Sequence, residues 1–276
     1  MLINPRYNGP PIIEIFGEAQ DQLIPFVRQR QRMMSLVKSL SHEQLHSPSR
    51  CDGWSVRDVI AHVGGVTDFW RMSVEGGKNL APTQYLAEFD PVSVPDQMVI
   101  ATRSKSATEI LDHFVSSSEN FIATLEGLNG DDWLSLAEAP PGYLPIRLVV
   151  MHALWDSWIH ERDITQPLLL SSPIEPDEVG ASLMYAAALS PALGATTGFA
   201  APGTYFLHAS NPLLRLRVDV DDHVTISPST SNIDDELRGT AVELVEALSL
   251  RGPLPDSAPA TWRVLLSGLS NAFSAS

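Results

Sequence analysis

One cysteine, Cys51, is the only thiol in this 276-residue chain. An intrachain disulfide is therefore excluded, which fits a reducing compartment. Basic residues are also scarce: 18 Lys and Arg stand against 33 Asp and Glu, a formal net charge of −15. Phosphate backbones and anionic lipid surfaces are held by clustered Lys and Arg, so this balance argues against nucleic-acid and membrane partners. No continuous apolar run approaches the roughly 18 residues of a spanning helix. The opening MLINPRYNGPPIIEIFGEAQ has neither the basic start nor the unbroken apolar stretch of a signal peptide. The chain reads as cytoplasmic. Internal repeats and low-complexity tracts are absent as well.

What remains is an ordinary globular composition, 44% hydrophobic, long enough for one large domain or two of common size. Four long helical patterns fill the first 165 residues. The first is expected over 12–40, with Phe16, Ala19, Leu23, Val27, Met34 and Val37 on one stripe and Pro25 kinking it. The second runs over 55–74 and stops before the glycines of EGG. A polar, proline-bearing stretch to about residue 104 is long for a bare loop and has room for short helices or a lid. The third helix covers 106–128 and the fourth 144–164, closed by Pro167. Four amphipathic helices of this length make a four-helix bundle, and no strand pairing is expected among the first 150 residues.

Beyond LLLSSPIEP the texture changes. A helix over 177–193 precedes three short strands, TYFLHA, LLRLRVDV and HVTIS, and two helices over 240–250 and 261–273 close the chain. In the second strand Leu214, Leu216, Val218 and Val220 alternate with charged residues, as in a sheet with one wet face. The fold class is α+β in two domains: a four-helix bundle over 1–168 and a small α+β domain with an antiparallel sheet over 169–276.

Two stretches carry chemistry. In RCDGWSVRDVIAHV, Ser55 is a good N-cap and Asp58 stands three residues on, as in a capping box. His62 then falls beside Val59 and Val66, on the side of the helix expected to be buried. In LVVMHALWDSWIHERDI, His152, Asp156 and His160 recur every four residues on one slowly drifting stripe. Two side chains four apart on a helix can share one metal ion, but three cannot, since the outer two are about 12 Å apart along the axis. Either His152–Asp156 or Asp156–His160 is the pair, and His62 is the natural third ligand from another helix. Two His and one carboxylate leave open positions, which is the catalytic arrangement. The plain alternative is an Asp156–His160 ion pair, with His62 bonded to a backbone carbonyl.

CDGWSVRDVIAHV closely resembles the Cys-x-Gly-Trp-Thr/Ser-Val-Arg-Asp-x-x-x-His stretch of the mycothiol-dependent maleylpyruvate isomerase family, part of the wider DinB-like metal-binding bundles. DSWIHERD resembles that family's Glu-x-x-x-His-x-x-Asp stretch, and LRGTAVELVEALSLRG resembles the late pattern of its sterol-carrier-like C-terminal domain. The resemblance implies that His62, Asp156 and His160 hold a divalent metal, zinc by preference. It implies a low-molecular-weight thiol of the mycothiol type as cosubstrate and a small-molecule substrate. Asp156 departs from the family's Glu and is one methylene shorter. Arg251 matches the family's late arginine and could hold an anionic substrate or the thiol's carboxylate. Asp163 could orient His160 from behind. His152 is left as a partner of the ligands, a substrate contact or an alternative ligand. Cys51 matches a position that is not a ligand, and Trp54, Trp70, Trp155 and Trp158 read as core and cleft walls.

The expected function is that of a metal-dependent, thiol-using isomerase or S-transferase, working in a cleft between the two domains. Its alternatives are a non-catalytic binding protein, whose metal was lost with the Glu-to-Asp change, and a metal-assisted hydrolase.

Overall fold

The computed structural model describes residues 2–17, 22–231 and 233–273. The bundle is built from α1 (Leu23–Ser39), α3 (Val56–Lys78), α5 (Ala107–Glu126) and α6 (Ile146–Thr165), with the short α2 (His42–His46) and α4 (Ser93–Thr102) between them. Helix α3 packs on α5 and α6, and α1 packs on the same two, which closes a four-helix ring. The polar stretch before residue 104 thus carries a helix, α4, lying on α3.

The first helix begins later than its pattern suggests. Residues Ile13–Ile15 form a strand, β1, Phe16 is exposed, and Ala19 lies outside the described residues. Pro25 does not kink the helix. It sits in the first turn, where the backbone N–H it lacks has no intrahelical partner to lose. The buried face includes Phe26, Arg30, Met33 and Val37: Val37 falls on the expected stripe, while Phe26 and Met33 are buried in place of Val27 and Met34.

Helix α3 runs through the expected glycine stop to Lys78. Gly76 and Gly77 are there for close approach: a Cβ on Gly77 would lie 2.6 Å from the Leu136 carbonyl oxygen. Leu136 opens a hairpin, β2 (Leu136–Ala139) with β3 (Gly142–Pro145), so strands do pair among the first 150 residues, contrary to expectation. At four residues each, these strands are too short to announce a period. Pro145 then leads directly into α6.

The C-terminal part holds α7 (Pro176–Thr197), β4 (Gly203–Ser210), β5 (Leu214–Val220), β6 (Val224–Pro228), β7 (Glu236–Thr240), α8 (Ala241–Leu248) and α9 (Ala260–Ala272). The sheet order is β1-β6-β5-β4-β7. Its centre is antiparallel, but both edge strands, β1 and β7, pair parallel to their neighbours. The sheet is therefore mixed rather than antiparallel, and one edge comes from the N-terminal segment. Helix α7 has the length and apolarity of a membrane-crossing helix, yet 83% of that stretch is buried inside the protein. It is the core helix on which α6, α8 and α9 all pack.

Candidate metal centre

The entry to α3 fixes His62. Ser55 Oγ accepts from the Asp58 backbone N–H, and Asp58 Oδ2 accepts from the Ser55 N–H at 3.0 Å. This capping box starts the helix at Val56 and turns Val56, Val59, Ile60 and Val63 inward, with His62 facing α6. There the His62 and His160 rings meet edge to face, centroids 5.0 Å apart. One ligand atom each from His62, Asp156 and His160 lies within 4.8 Å of the others.

The second nitrogen of His160 is held from behind. Nδ1 lies 3.0 Å from Asp163 Oδ2, while Nε2 lies 3.5 Å from Asp156 Oδ1. Asp163 is fully buried and is itself gripped by Arg50 Nε at 2.9 Å and by Arg251 through Nε and Nη2. Cys51 Sγ sits 3.2 Å from the same carboxylate. Carboxylate, imidazole and site in series is the arrangement that orients a metal-binding histidine. Cys51, His160 and Asp163 form a second convergent group, but two guanidiniums already supply its positive charge.

Burial holds His62 neutral, well below its ordinary pKa, and the His160 and Arg251 charges push the same way. For His160 burial also opposes the charged form, but Asp156 and the Asp163 bond outweigh it and raise the pKa to about 10. Burial raises Asp156 despite the attraction of His160 and Arg30. Asp163 pays desolvation too, but His160 and Arg251 hold it well below the usual carboxylate range. Nδ1 of His62 is buried with no hydrogen-bond partner among the described residues. Two imidazoles, one carboxylate and an unsatisfied ring nitrogen fit a divalent metal.

The other expected residues are placed as follows. His152 is not in the ligand group: its Nδ1 bonds the Tyr185 hydroxyl at 2.7 Å, and burial pushes its pKa down to about 3. Arg251 reaches the site but spends Nε and Nη2 on Asp163. Trp54 stands against His62, centroids 5.1 Å apart, and its Nε1 donates to Asp96 of α4 at 2.7 Å. Three partners escaped the sequence reading: Arg50, Tyr185 and Asp96. Arg50 adjoins the Cys51 motif and was within reach; nothing local marks the other two.

Residues 26–165 match the model of the mycothiol maleylpyruvate isomerase N-terminal domain. The chain belongs to this family. It is a family of enzymes, and the match covers the bundle from Phe26 of α1 onward, with His62, Asp156 and His160 inside it. The fold resembles that of the mycothiol-dependent maleylpyruvate isomerase, with a TM-score of 0.60 at 14% identity, over 84% of this chain and 89% of that one. A histidine-to-alanine variant of that isomerase gives the same figures. YfiT from Bacillus subtilis, whose four-helix bundle has an unusual topology, aligns at 16% identity over 60% of this chain and 95% of its own, TM-score 0.41. No curated protein matches the chain.

Proposed function

We propose that this protein is a metal-dependent enzyme that uses a mycothiol-like thiol on a small electrophilic substrate, as an isomerase or an S-transferase. The observation that carries the reading is the convergence of His62, Asp156 and His160 on one point, with a ring nitrogen of His62 buried and unpaired. The donor set suits zinc. When bound, a metal of this kind and the thiol supply a thiolate nucleophile at neutral pH.

The chain's own residues set that chemistry up. Asp163 fixes the ring of His160, so that Nε2 faces the site. Arg50 and Arg251 keep Asp163 ionised and in place. Trp54 walls off His62 from α4. Arg251, about a quarter exposed, is positioned to meet an anionic group of thiol or substrate at the rim between the bundle and the C-terminal part. His152 contacts substrate deeper along α6.

Metal analysis of the purified protein, followed by turnover assays with chelator and with the thiol omitted, tests this. Turnover should need both. Turnover without thiol would make the protein a metal-assisted hydrolase, and a metal-free, inactive protein would make it a binding protein.

A further inference from the structure

Arg30 of α1 is a full charge buried in the bundle core, 1% exposed, and among the described residues no Asp or Glu forms an ion pair with it. Its Nη1 donates to Thr67 Oγ1 of α3 at 2.9 Å and, at 3.5 Å, to Ser118 Oγ of α5. Nε is buried with no partner. The Phe26 and Phe114 rings flank the guanidinium, their centroids 5.2 and 5.6 Å from Cζ. By contrast Arg32, Arg50 and Arg251 each hold a buried carboxylate. Two hydroxyls and two rings do not offset the burial of a full charge. A neutral glutamine would serve the same hydroxyls, so packing alone does not call for the charge.

The neighbours of Arg30 place it beside the candidate metal centre. Gln29, the residue before it, is locked to Ser157, the residue after Asp156. Gln29 Nε2 donates to the Ser157 carbonyl at 3.2 Å, and Oε1 accepts from Ser157 Oγ at 2.7 Å. On the α3 side Arg30 is tied to Thr67, whose Oγ1 donates at 2.6 Å to the carbonyl of Val63, next to His62. Arg30 is thus fixed inside the helix ring, between the two helices that carry the ligand group. Burial lowers its pKa to about 10, opposed first by the charge of Asp156, so the guanidinium keeps its proton at neutral pH. Arg30 in turn opposes, after His160, the rise that burial imposes on Asp156.

We propose that Arg30 is a specificity-determining residue: a fixed, buried cation beside Asp156 that makes the metal-loaded centre take an anionic donor, a thiolate above all, in preference to a neutral one. The inference rests on the metal- and thiol-dependent reading above and adds what selects the charge of the donor. Once a divalent ion is held by two neutral imidazoles and Asp156, one negative charge faces both the ion and the guanidinium. Asp163 has no charge to lend, because Arg50 and Arg251 both hold it. The surplus is positive and lies in the interior, where a charge acts at lower effective dielectric than in water. A negative donor entering the open position is drawn by that surplus, and a neutral donor is not. Thr67 and the Gln29–Ser157 clamp keep Arg30 in place, so its field needs no rearrangement when the donor arrives. Arg30 makes no bond to the donor and transfers no proton.

Loading the full chain with cobalt(II) tests this by absorbance, without turnover, because the visible spectrum of the ion changes with each added donor. Thiocyanate is the anionic probe and imidazole the neutral one. Arg30→Gln keeps a side chain for the two hydroxyls and removes the charge. It should bind cobalt(II) at least as tightly as wild type, since a repelling charge is gone. It should bind thiocyanate at least about ten-fold more weakly and imidazole within about three-fold of wild type. Thr67→Val removes a hydrogen bond but not the charge, and its thiocyanate affinity should stay within about three-fold of wild type. Unaltered thiocyanate affinity in Arg30→Gln overturns the proposal. Equal losses for thiocyanate and imidazole do so too, as does a Thr67→Val defect as large as that of Arg30→Gln, because each would make Arg30 a packing element. If Arg30→Gln does not fold, Arg30→Met carries the same comparison. Thiol dependence of turnover is read separately: its absence beside the expected thiocyanate loss overturns the functional reading and not the role of Arg30. A wild-type protein that takes up no cobalt(II) overturns both.

Discussion

A histidine buried with one nitrogen unpaired is costly unless something comes to that nitrogen, and His62 is in that position. If a metal comes, His62→Ala should lose bound metal at least about 100-fold more readily than His152→Ala. Metal analysis after dialysis against a weak chelator reads this directly. Asp156→Glu restores the longer carboxylate of the family pattern and should retain or tighten binding. His152 carries a separate prediction. Its folded pKa is about 3, against about 6.5 for an ordinary histidine. Between those values the unfolded chain binds a proton that the folded chain refuses. The stability His152 allows is therefore full above about pH 6.5 and drains as pH falls toward 3. Thermal melts of metal-free protein from pH 7 to 4 should show a falling Tm, with a shallower slope in His152→Phe. At this scale the sequence was largely readable. Spacing put Asp156 and His160 on one stripe, and the family motif chose them over His152–Asp156. Asp163 behind His160 followed from the same stretch. Tyr185 and Asp96 did not, because they reach His152 and Trp54 from helices whose placement no local pattern encodes.

Helix starts announced by a cap were legible to within a residue or two. Ser55, Ser106 and Thr240 each close a capping box with the acidic residue three positions on, and α3, α5 and α8 start there. Elements set by tertiary contact were not. Strand β1 has three residues and exists because β6 offers it a parallel edge. The β2–β3 hairpin exists because Gly77 lets α3 sit against the Leu136 backbone. A glycine read as a stop is here a contact surface, and the two uses look alike in sequence. Gly77→Ala would drive a Cβ into the Leu136 carbonyl, a backbone atom with no rotamer to escape to. The expected cost is about 1–3 kcal/mol, as for overpacking in a tight core, read as a lower denaturation midpoint at unchanged slope. Gly127→Ala, where a Cβ meets atoms no closer than 3.5 Å, should be tolerated far better.

Across the whole molecule, the change of texture near residue 168 marks a boundary in sequence that packing crosses repeatedly. A single cluster of buried apolar side chains runs from Phe26, Trp70 and Trp158 in the bundle through Leu183 and Leu189 of α7 to Val218 of the sheet and Trp262 of α9. Charge crosses there as well: Arg32 bridges the buried Glu161 and Glu178, and Glu246 of α8 accepts from Arg50 and Arg162. The candidate metal centre inherits this coupling, because Asp163 behind His160 is held by Arg251 from beyond α8. Arg251→Met should therefore weaken metal binding by about 10–100-fold, as when the partner behind a metal-bound histidine is removed, although Arg251 lies outside the ligand group. A smaller cluster around Val37, Ile60 and Phe114 belongs to the bundle alone, but the larger one is shared by both parts. Calorimetry of the full chain should show one cooperative transition, with calorimetric and van't Hoff enthalpies equal. Two resolved peaks would mean that α7 releases the bundle before the sheet unfolds. In that event the Arg251→Met defect should match that of wild-type protein held between the two transitions, where Arg251 has already left Asp163.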